Sequence, residues 1–362
     1  MRDILFLLLF VSQFAAAASY AAAPAGGQIT VSDGFKLDYV IDYPAAGKNI
    51  SKVVILIHGS GPQNMDEDMT QASNGVKNLF FVDLSSALTK EGFTVIRYNK
   101  RSFQIAQNAK TDMMYIRSEA YKKFAADPLK YFVDDVSDII KFASEKFPGY
   151  GIDLIGHSQG TYVALQAAAV SPAVKTVGLI GFMNQGMETT VFEQTVYRPM
   201  YIFDALDINR DNALDAKELE GGDAVSVSLR KQLAVIDVNE NGKIDRSEFA
   251  AGNLTNILSG ALGDLSVFKK REAEYRTPAD IIRTAVFGIC FFQGELDNQT
   301  PSYSAKAVEI LNRLGWKKDN LHFSYFKDLG HALDRRSDYN DLVFKPADAE
   351  ALAEVAASMS RY

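Results

Sequence analysis

Residues Leu154–Gly160, "LIGHSQG", close an apolar run on a serine set between two glycines, and apolar residues at helical spacing follow at once. A Gly-x-Ser-x-Gly pattern alone would suit a surface serine in a glycine-rich turn. Between a strand and a helix it reads as a nucleophile elbow, a sharp turn that lifts Ser158 out of the sheet while its flanking glycines remove side chains that would block a strained backbone.

Outward from this stretch, short apolar runs alternate with helical periodicity. "KVVILIHG", "FTVIRYN", "GIDLIGHS", "VKTVGLIGF", "TAVFGICFFQG" and "LHFSYFKDLGH" read as six largely buried strands. Before them, "QITVSDGFKLDYVIDYP" alternates on both sides of Asp33-Gly34, the signature of a β-hairpin. Phe132, Val136, Ile139, Ile140, Ala143 and Phe147 share one helical face, which Pro148-Gly149 stops, and Val163, Ala167 and Val170 share another. "TPSYSAKAVEILNRLGW" and "DAEALAEVAASM" supply two more helices. Alternating strands and helices imply an α/β fold, a mostly parallel sheet flanked by helices. The alternation breaks once, so the core is expected over residues 28–186 and 279–362, with a helical cap inserted over 187–278.

A serine nucleophile needs a base, and the chain has four histidines. His58 follows the first core strand, His157 lies inside the elbow, and His322 falls within a strand pattern. His331, in "DLGHAL", follows the last strand in a loop and comes after Ser158 in the chain, so it is the candidate base. The acid belongs between them. "FFQGELDNQTP" offers Asp297, in the turn beyond a strand end, with Glu295 in reserve; either could instead cap the helix that begins near Thr300-Pro301. Acyl transfer also needs donors aimed at the developing oxyanion. The backbone N–H of Gln159 is one candidate. The Ser60 N–H, in "HGSGP" where Gly59 and Gly61 let the backbone come close, is the other, and His58 then holds this loop rather than moving protons.

These residues resemble the α/β-hydrolase superfamily, over most of the chain from about residue 28 with the cap excepted. "HGSGPQNMDED", "VIRYNKR", "GHSQG" and the Gly294-x-x-Asp297 turn look most like bacterial carboxylesterases and serine aminopeptidase-like hydrolases. Those commonly carry Arg-Tyr-Asp-Lys-Arg-Gly, where this chain has Asn99 for the aspartate and Ser102 for the glycine. These departures leave the triad implied by the resemblance intact. Asp66, Glu67, Lys100 and Arg101 could form a salt-bridged loop pair beside it, or remain solvated surface charges.

The cap has chemistry of its own. "DINRDNALDAKE" (207–218) and "DVNENGKIDRSE" (237–248) each set oxygen ligands at positions 1, 3, 5, 9 and 12 of a twelve-residue loop. In the first these are Asp207, Asn209, Asp211, Asp215 and Glu218, with the Ala213 carbonyl at position 7. In the second they are Asp237, Asn239, Asn241, Asp245 and Glu248, with the Lys243 carbonyl at position 7. Such a cage suits Ca²⁺, and two matches read as an EF-hand pair. Leu214 and Ile244 hold position 8, where paired loops join, while Phe203, Leu206, Leu233 and Ile236 suit the incoming helices. Gly242 supplies the sharp turn at position 6; Asn212 stands there in the first loop, and asparagine tolerates positive φ. Calcium is the expected cofactor, for the cap and not for the hydrolytic chemistry, and the ordered cap is expected to cover the site.

Composition bounds the rest. With 362 residues, 47% of them hydrophobic, the chain can bury a large core, and a net charge of −7 argues against a nucleic-acid partner. Arg2, the apolar run Ile4–Val11 and the Ala-x-Ala spacing after it read as a signal peptide over residues 1–23. The run is far shorter than the roughly 20 residues of a spanning helix, so an exported, periplasmic or extracellular protein without a membrane span is expected. Cys290 is the sole cysteine, so no internal disulfide forms and calcium is a candidate stabiliser. The leading reading is a serine esterase. The alternatives are a serine peptidase or amidase on short peptides, or a calcium-binding interaction protein on an inactive hydrolase scaffold.

Overall fold

The computed structural model describes residues 26–44, 50–222, 224–259 and 265–362; the expected signal peptide lies outside these described residues. Two compact units emerge, residues 187–266 on one hand and the remainder on the other.

The larger unit holds an eight-stranded sheet made of β1 (Gly26–Thr30), β2 (Lys36–Asp42), β3 (Lys52–Ile57), β4 (Phe93–Tyr98), β5 (Ile152–His157), β6 (Val174–Ile180), then, after two short strands, β7 (Ala213–Leu214) and β8 (Ile244–Asp245), that belong to the other unit, β9 (Gly288–Gly294) and β10 (Leu321–Phe326). Its order is β1-β2-β4-β3-β5-β6-β9-β10, with β1 and β2 antiparallel and every pair from β4 to β10 parallel. The six apolar runs are thus strands, and the Asp33-Gly34 turn joins β1 to β2. Central strands read as continuous apolar runs because both faces are covered: all six residues of β4 and of β5 are buried. Winding reverses at β3, which pairs with β4 on one side and β5 on the other, so the loops leaving the carboxyl ends of β3 and β5 flank the switch point where such sheets place their sites.

Helix Pro128–Lys146 starts on Asp127, which accepts the Lys130 N–H, and buries Phe132, Val133, Val136, Ile139, Ile140 and Ala143. Helix Gln159–Val170 is buried from Gln159 to Ala168. Val170, expected on its inner face, is instead exposed at 74%, because the helix leaves the sheet in its last turn. Helices Phe80–Lys90, Arg101–Thr111 and Glu119–Ala126 were not anticipated. The last two have little apolar face to detect: the first of them buries only Arg101 and Ile105, the second nothing. No helix among the described residues is long and apolar enough to cross a membrane.

The smaller unit packs Phe203, Leu214, Leu219, Leu229, Ile236, Ile244 and Phe249 into its own core, with Leu206 and Leu233 against them. β7 and β8 pair antiparallel, setting Leu214 opposite Ile244, the position 8 residues of the two acidic loops. The unit ends at Ser266 rather than at the expected 278. Residues beyond it join the sheet unit through an Arg271–Asp127 ion pair and a hydrogen bond from the Gln166 side chain to Arg276 O (2.7 Å).

Candidate active site and candidate metal loops

Ser158 follows β5 and caps the next helix with φ 54° and ψ −122°, a conformation that a non-glycine residue holds only when its surroundings impose it. The imposition is visible. Ser158 N–H donates to Ile180 O at the end of β6 (2.9 Å), while Ser158 O accepts from the N–H (2.9 Å) and hydroxyl (2.6 Å) of Thr161. A Cβ on Gly156 would collide with Gly160 O, and one on Gly160 with Ile57 O at the end of β3. Both glycines of the motif are therefore steric necessities of packing a helix start against two strand ends.

Asp297 and His331 stand on the loops that follow β9 and β10. Asp297 is fully buried and accepts five kinds of hydrogen bond: Gln299 N–H (2.8 Å), Thr300 N–H (2.9 Å), the Thr300 hydroxyl (3.0 Å), the Gln293 amide (2.8 Å) and His331 Nδ1 (2.9 Å). Burial alone would raise its carboxyl, but His331 and these donors outweigh it and hold the group below the usual carboxylate range. Glu295, the reserve candidate, is exposed and pairs with Lys306 (3.2 Å), so of the two carboxylates it is Asp297 that lies against His331.

His331 is 5% exposed, and burial, reinforced by His157, pushes its imidazole down despite the pull of Asp297. It lies directly on Gly181, the residue after the carbonyl that holds Ser158 N–H: a Cβ there would stand 2.8 Å from His331 Cε1, at a φ of 61°. His331 is thereby brought beside the turn that carries Ser158. Among the described residues Ser158 Oγ makes no hydrogen bond to the imidazole.

Gly59 N–H, in the loop after β3, donates to Glu67 Oε1 (2.8 Å), and a Cβ on Gly59 would touch Ser158 Cβ at 3.3 Å. The Ser60 and Gln159 N–H groups have no acceptor among the described residues, as oxyanion donors require. His58 packs between the rings of Phe81 and Tyr98 (both 4.9 Å), and burial pushes its pKa down to about 3, so it remains neutral and structural. His322 stacks on Tyr362, 3.7 Å between ring centroids.

The four charges expected to form a loop pair separate instead. Asp66 pairs with Arg97, Arg101 with Asp33 (2.8 Å) and Asp135 (2.5 Å), and Glu67 with His157 Nδ1 (3.0 Å). Lys100 turns to Gly59 O (2.6 Å) and Gln159 Oε1 (2.8 Å). Sequence reasoning missed Gly181, Gln293 and Thr300 as neighbours of the site and the partners that Glu67, His157 and Lys100 take there, since each depends on a strand end brought alongside.

The acidic loops repeat one hydrogen-bond pattern. Asp207 Oδ1 accepts from Asp211 N–H (3.1 Å) and Asp237 Oδ1 from Asn241 N–H (3.0 Å). Asn209 and Asn239 accept from those same N–H groups, and Asp211 and Asn241 accept from Ala213 and Lys243 N–H. Glu218 reaches back to Asn209 and Asp215 N–H, and Glu248 to Asn239 and Asp245 N–H. Position 6 has φ 63° at Asn212 and 79° at Gly242, the sharp turn that the loop demands. Carboxylate oxygens of Asp207, Asp211 and Glu218 lie within 4.8 Å of one another, an oxygen set that fits a hard cation. Asp215 stays outside that cluster, as a ligand acting through water would, and Asp245 accepts from the Asn239 amide (2.8 Å).

Residues 52–215 match the family described as the α/β hydrolase fold, and residues 229–252, across the second loop, match the EF hand. A 120-residue stretch is 29% identical to Esterase EstD of Thermotoga maritima, covering 33% of this chain and 24% of that protein. A solved Staphylococcus aureus protein of unknown function is similar in fold at a TM-score of 0.51 and 14% identity, over 93% of this chain and 98% of that one. A puromycin-hydrolysing peptidase of Mycobacterium tuberculosis also superimposes at 0.51 with 12% identity, over 93% of this chain but 38% of the peptidase.

Proposed function

We propose that this chain, a member of the α/β-hydrolase superfamily with an inserted EF-hand, is a serine hydrolase of carboxylic esters. One observation carries the reading: a buried imidazole, bonded to a fully buried carboxylate, rests on the glycine next to the carbonyl that strains Ser158 into its turn.

In this mechanism Ser158 Oγ attacks the ester carbonyl as His331 Nε2 takes its proton. Asp297 remains ionised, holds the Nδ1–H tautomer and stabilises the imidazolium. The tetrahedral oxyanion receives the Ser60 and Gln159 N–H groups. Its collapse breaks the ester C–O bond, and His331 returns the proton to the leaving alkoxide. Water, deprotonated by His331, then attacks the acyl-Ser158 ester and releases the acid. The Ser158–His331 hydrogen bond closes when substrate is bound, as catalytic hydrogen bonds often do.

The Thermotoga esterase supports an ester substrate. The EF-hand loops would hold Ca²⁺ through Asp207, Asn209, Asp211, Ala213 O, Asp215 and Glu218, and through Asp237, Asn239, Asn241, Lys243 O, Asp245 and Glu248, supplying structural order to residues 187–266. The apolar leader supports export, to be read by amino-terminal sequencing of the protein recovered from each cell fraction.

The test is hydrolysis of a short-chain nitrophenyl ester beside Ser158→Ala, with fluorophosphonate labelling of Ser158. Activity and labelling that both vanish in the variant are expected. Labelling without ester turnover would move the substrate class to peptides; absence of both in the native chain would sink the hydrolase reading.

A further inference from the structure

Lys100 is a buried lysine, 4% exposed, whose ammonium makes no ion pair among the described residues. Its Nζ lies over the Phe132 ring at 4.3 Å and spends two hydrogen bonds on neutral oxygens, Gly59 O (2.6 Å) and Gln159 Oε1 (2.8 Å). Burying an ammonium is costly, and burial brings this one down to about 7 against the pull of Glu67. A position that tolerates such a cost invites a functional account.

The two acceptors identify it. The carbonyl of Gly59 belongs to the same peptide as the N–H of Ser60, and in a planar trans peptide the two point in opposite directions. A cation fixed on Gly59 O therefore fixes where the Ser60 N–H points, and polarises that peptide so that its N–H donates more strongly. On the other side of Gly59 the preceding peptide is held by Glu67 through its N–H (2.8 Å), so the loop cannot rotate about the glycine that touches Ser158. Gln159, the second acceptor, carries the other N–H proposed to face the oxyanion.

We propose that Lys100 is a positioning residue that orients and polarises the Ser60 oxyanion donor, gripping the loop after β3 through Gly59 O and tying it to the Gln159 side chain, on the first residue of the nucleophile's helix, with one ammonium group. This rests on the serine-hydrolase reading above. No proton leaves Lys100 in the reaction, and it touches no substrate.

The experiment uses the full chain, a nitrophenyl ester and an aryl trifluoromethyl ketone, whose adduct with a serine carries the oxyanion. Lys100→Met is expected to lower kcat by about 10- to 100-fold, below the 10²–10³-fold typical of deleting a donor outright, with KM within about twofold. Affinity for the ketone should fall by the same factor as kcat/KM. Gln159→Ala, which removes one of the two acceptors and keeps the N–H, should show the same pattern more weakly, and it decides the matter if Lys100→Met fails to melt cooperatively. Lys100→Arg, keeping the cation, should recover part of the lost kcat.

An unchanged kcat, or a risen KM at constant kcat, overturns the proposal, as does a lost kcat with ketone affinity retained. Ser158→Ala separates the two ideas: if it retains activity the hydrolase reading itself has failed, whereas an inactive Ser158→Ala beside an unaffected Lys100→Met defeats the Lys100 proposal alone.

Discussion

The imidazoles of His331 and His157 lie in contact, 4.7 Å between ring centroids, and each has its own buried carboxylate: Asp297 at 2.9 Å from the first, Glu67 at 3.0 Å from the second. Their pKa values are driven apart. Burial would lower His157, but Glu67 overcomes it and raises the group; burial and the neighbouring His157 lower His331 in spite of Asp297. The two environments thus favour the charged form of His157 and the neutral form of His331, and a neutral ring is the state a general base requires.

A pH profile tests this. In the proposed mechanism neutral His331 is the active form, so kcat/KM should be full above its pKa and fall as pH drops through it, with the limb below the ordinary histidine value of about 6.5. In Glu67→Gln, His157 loses the charge that raises it, carries less positive charge, and repels the His331 imidazolium less. The acidic limb should therefore move to higher pH. A limb that stays in place or moves lower would show that the two rings are not coupled.

Exchanging carboxylates separates the two acids that the sequence left open. Asp297→Asn keeps the shape but offers an amide where His331 Nδ1–H needs an acceptor, and kcat should fall by about 10⁴-fold. Glu295→Gln removes only an exposed partner of Lys306 and should leave kcat within about twofold, since such surface pairs are worth roughly 0–1 kcal/mol. Steady-state rates on one nitrophenyl ester decide it; a large loss in the Glu295 variant would reassign the acid.

Gly181→Ala probes the support beneath the base. The added methyl would meet His331 Cε1 at 2.8 Å, and its φ of 61° costs a residue with a Cβ about 1–2 kcal/mol. Displacing an imidazole by a fraction of an ångström should cost at least about tenfold in kcat, more than the accompanying loss of stability would explain. Native kcat in a variant that melts only slightly earlier would show that the ring has room to spare.

How far the sequence spoke follows from where information resides. The α/β alternation and the strand-to-helix turn at Ser158 were legible because strand runs and the elbow are local patterns, whereas His331 was reached only by elimination among four histidines. Asp297 could be narrowed only to a pair, since its exposure against that of Glu295 depends on how the turn after β9 packs. Lys100 and Glu67 were visible as charges, yet their partners are Gly59, Gln159 and His157, gathered by parallel pairing of β4, β3 and β5. Val170 kept the helical spacing and still faced outward, because periodicity does not say where a helix departs from the sheet. The paired turns at 207–218 and 237–248 were legible because each candidate ligand set is contained in twelve consecutive residues.

Those loops also make a quantitative prediction. Sites of this kind in extracellular modules bind calcium with a Kd of about 10⁻⁴ to 10⁻³ M, and a ligand at one to ten times its Kd adds about 0.4–1.4 kcal/mol per site to the folded state. Calcium at millimolar levels should raise the melting temperature of the part of the transition that belongs to residues 187–266, and a chelator should reverse the shift. Glu218→Gln and Glu248→Gln, which replace the ligand at position 12, should each remove one site from a calorimetric titration of the full chain. Lys243→Met should act oppositely on the first loop: its ammonium lies 2.9 Å from Asp211 Oδ2, a proposed ligand, so calcium must displace it. Both groups of that pair are exposed to solvent, which screens their attraction, so the gain in affinity at that loop should be small and confined to the first site. A weaker first site in Lys243→Met would mean that Asp211 does not bind the cation, and an unchanged melting profile with and without calcium would remove the metal from the account of this unit.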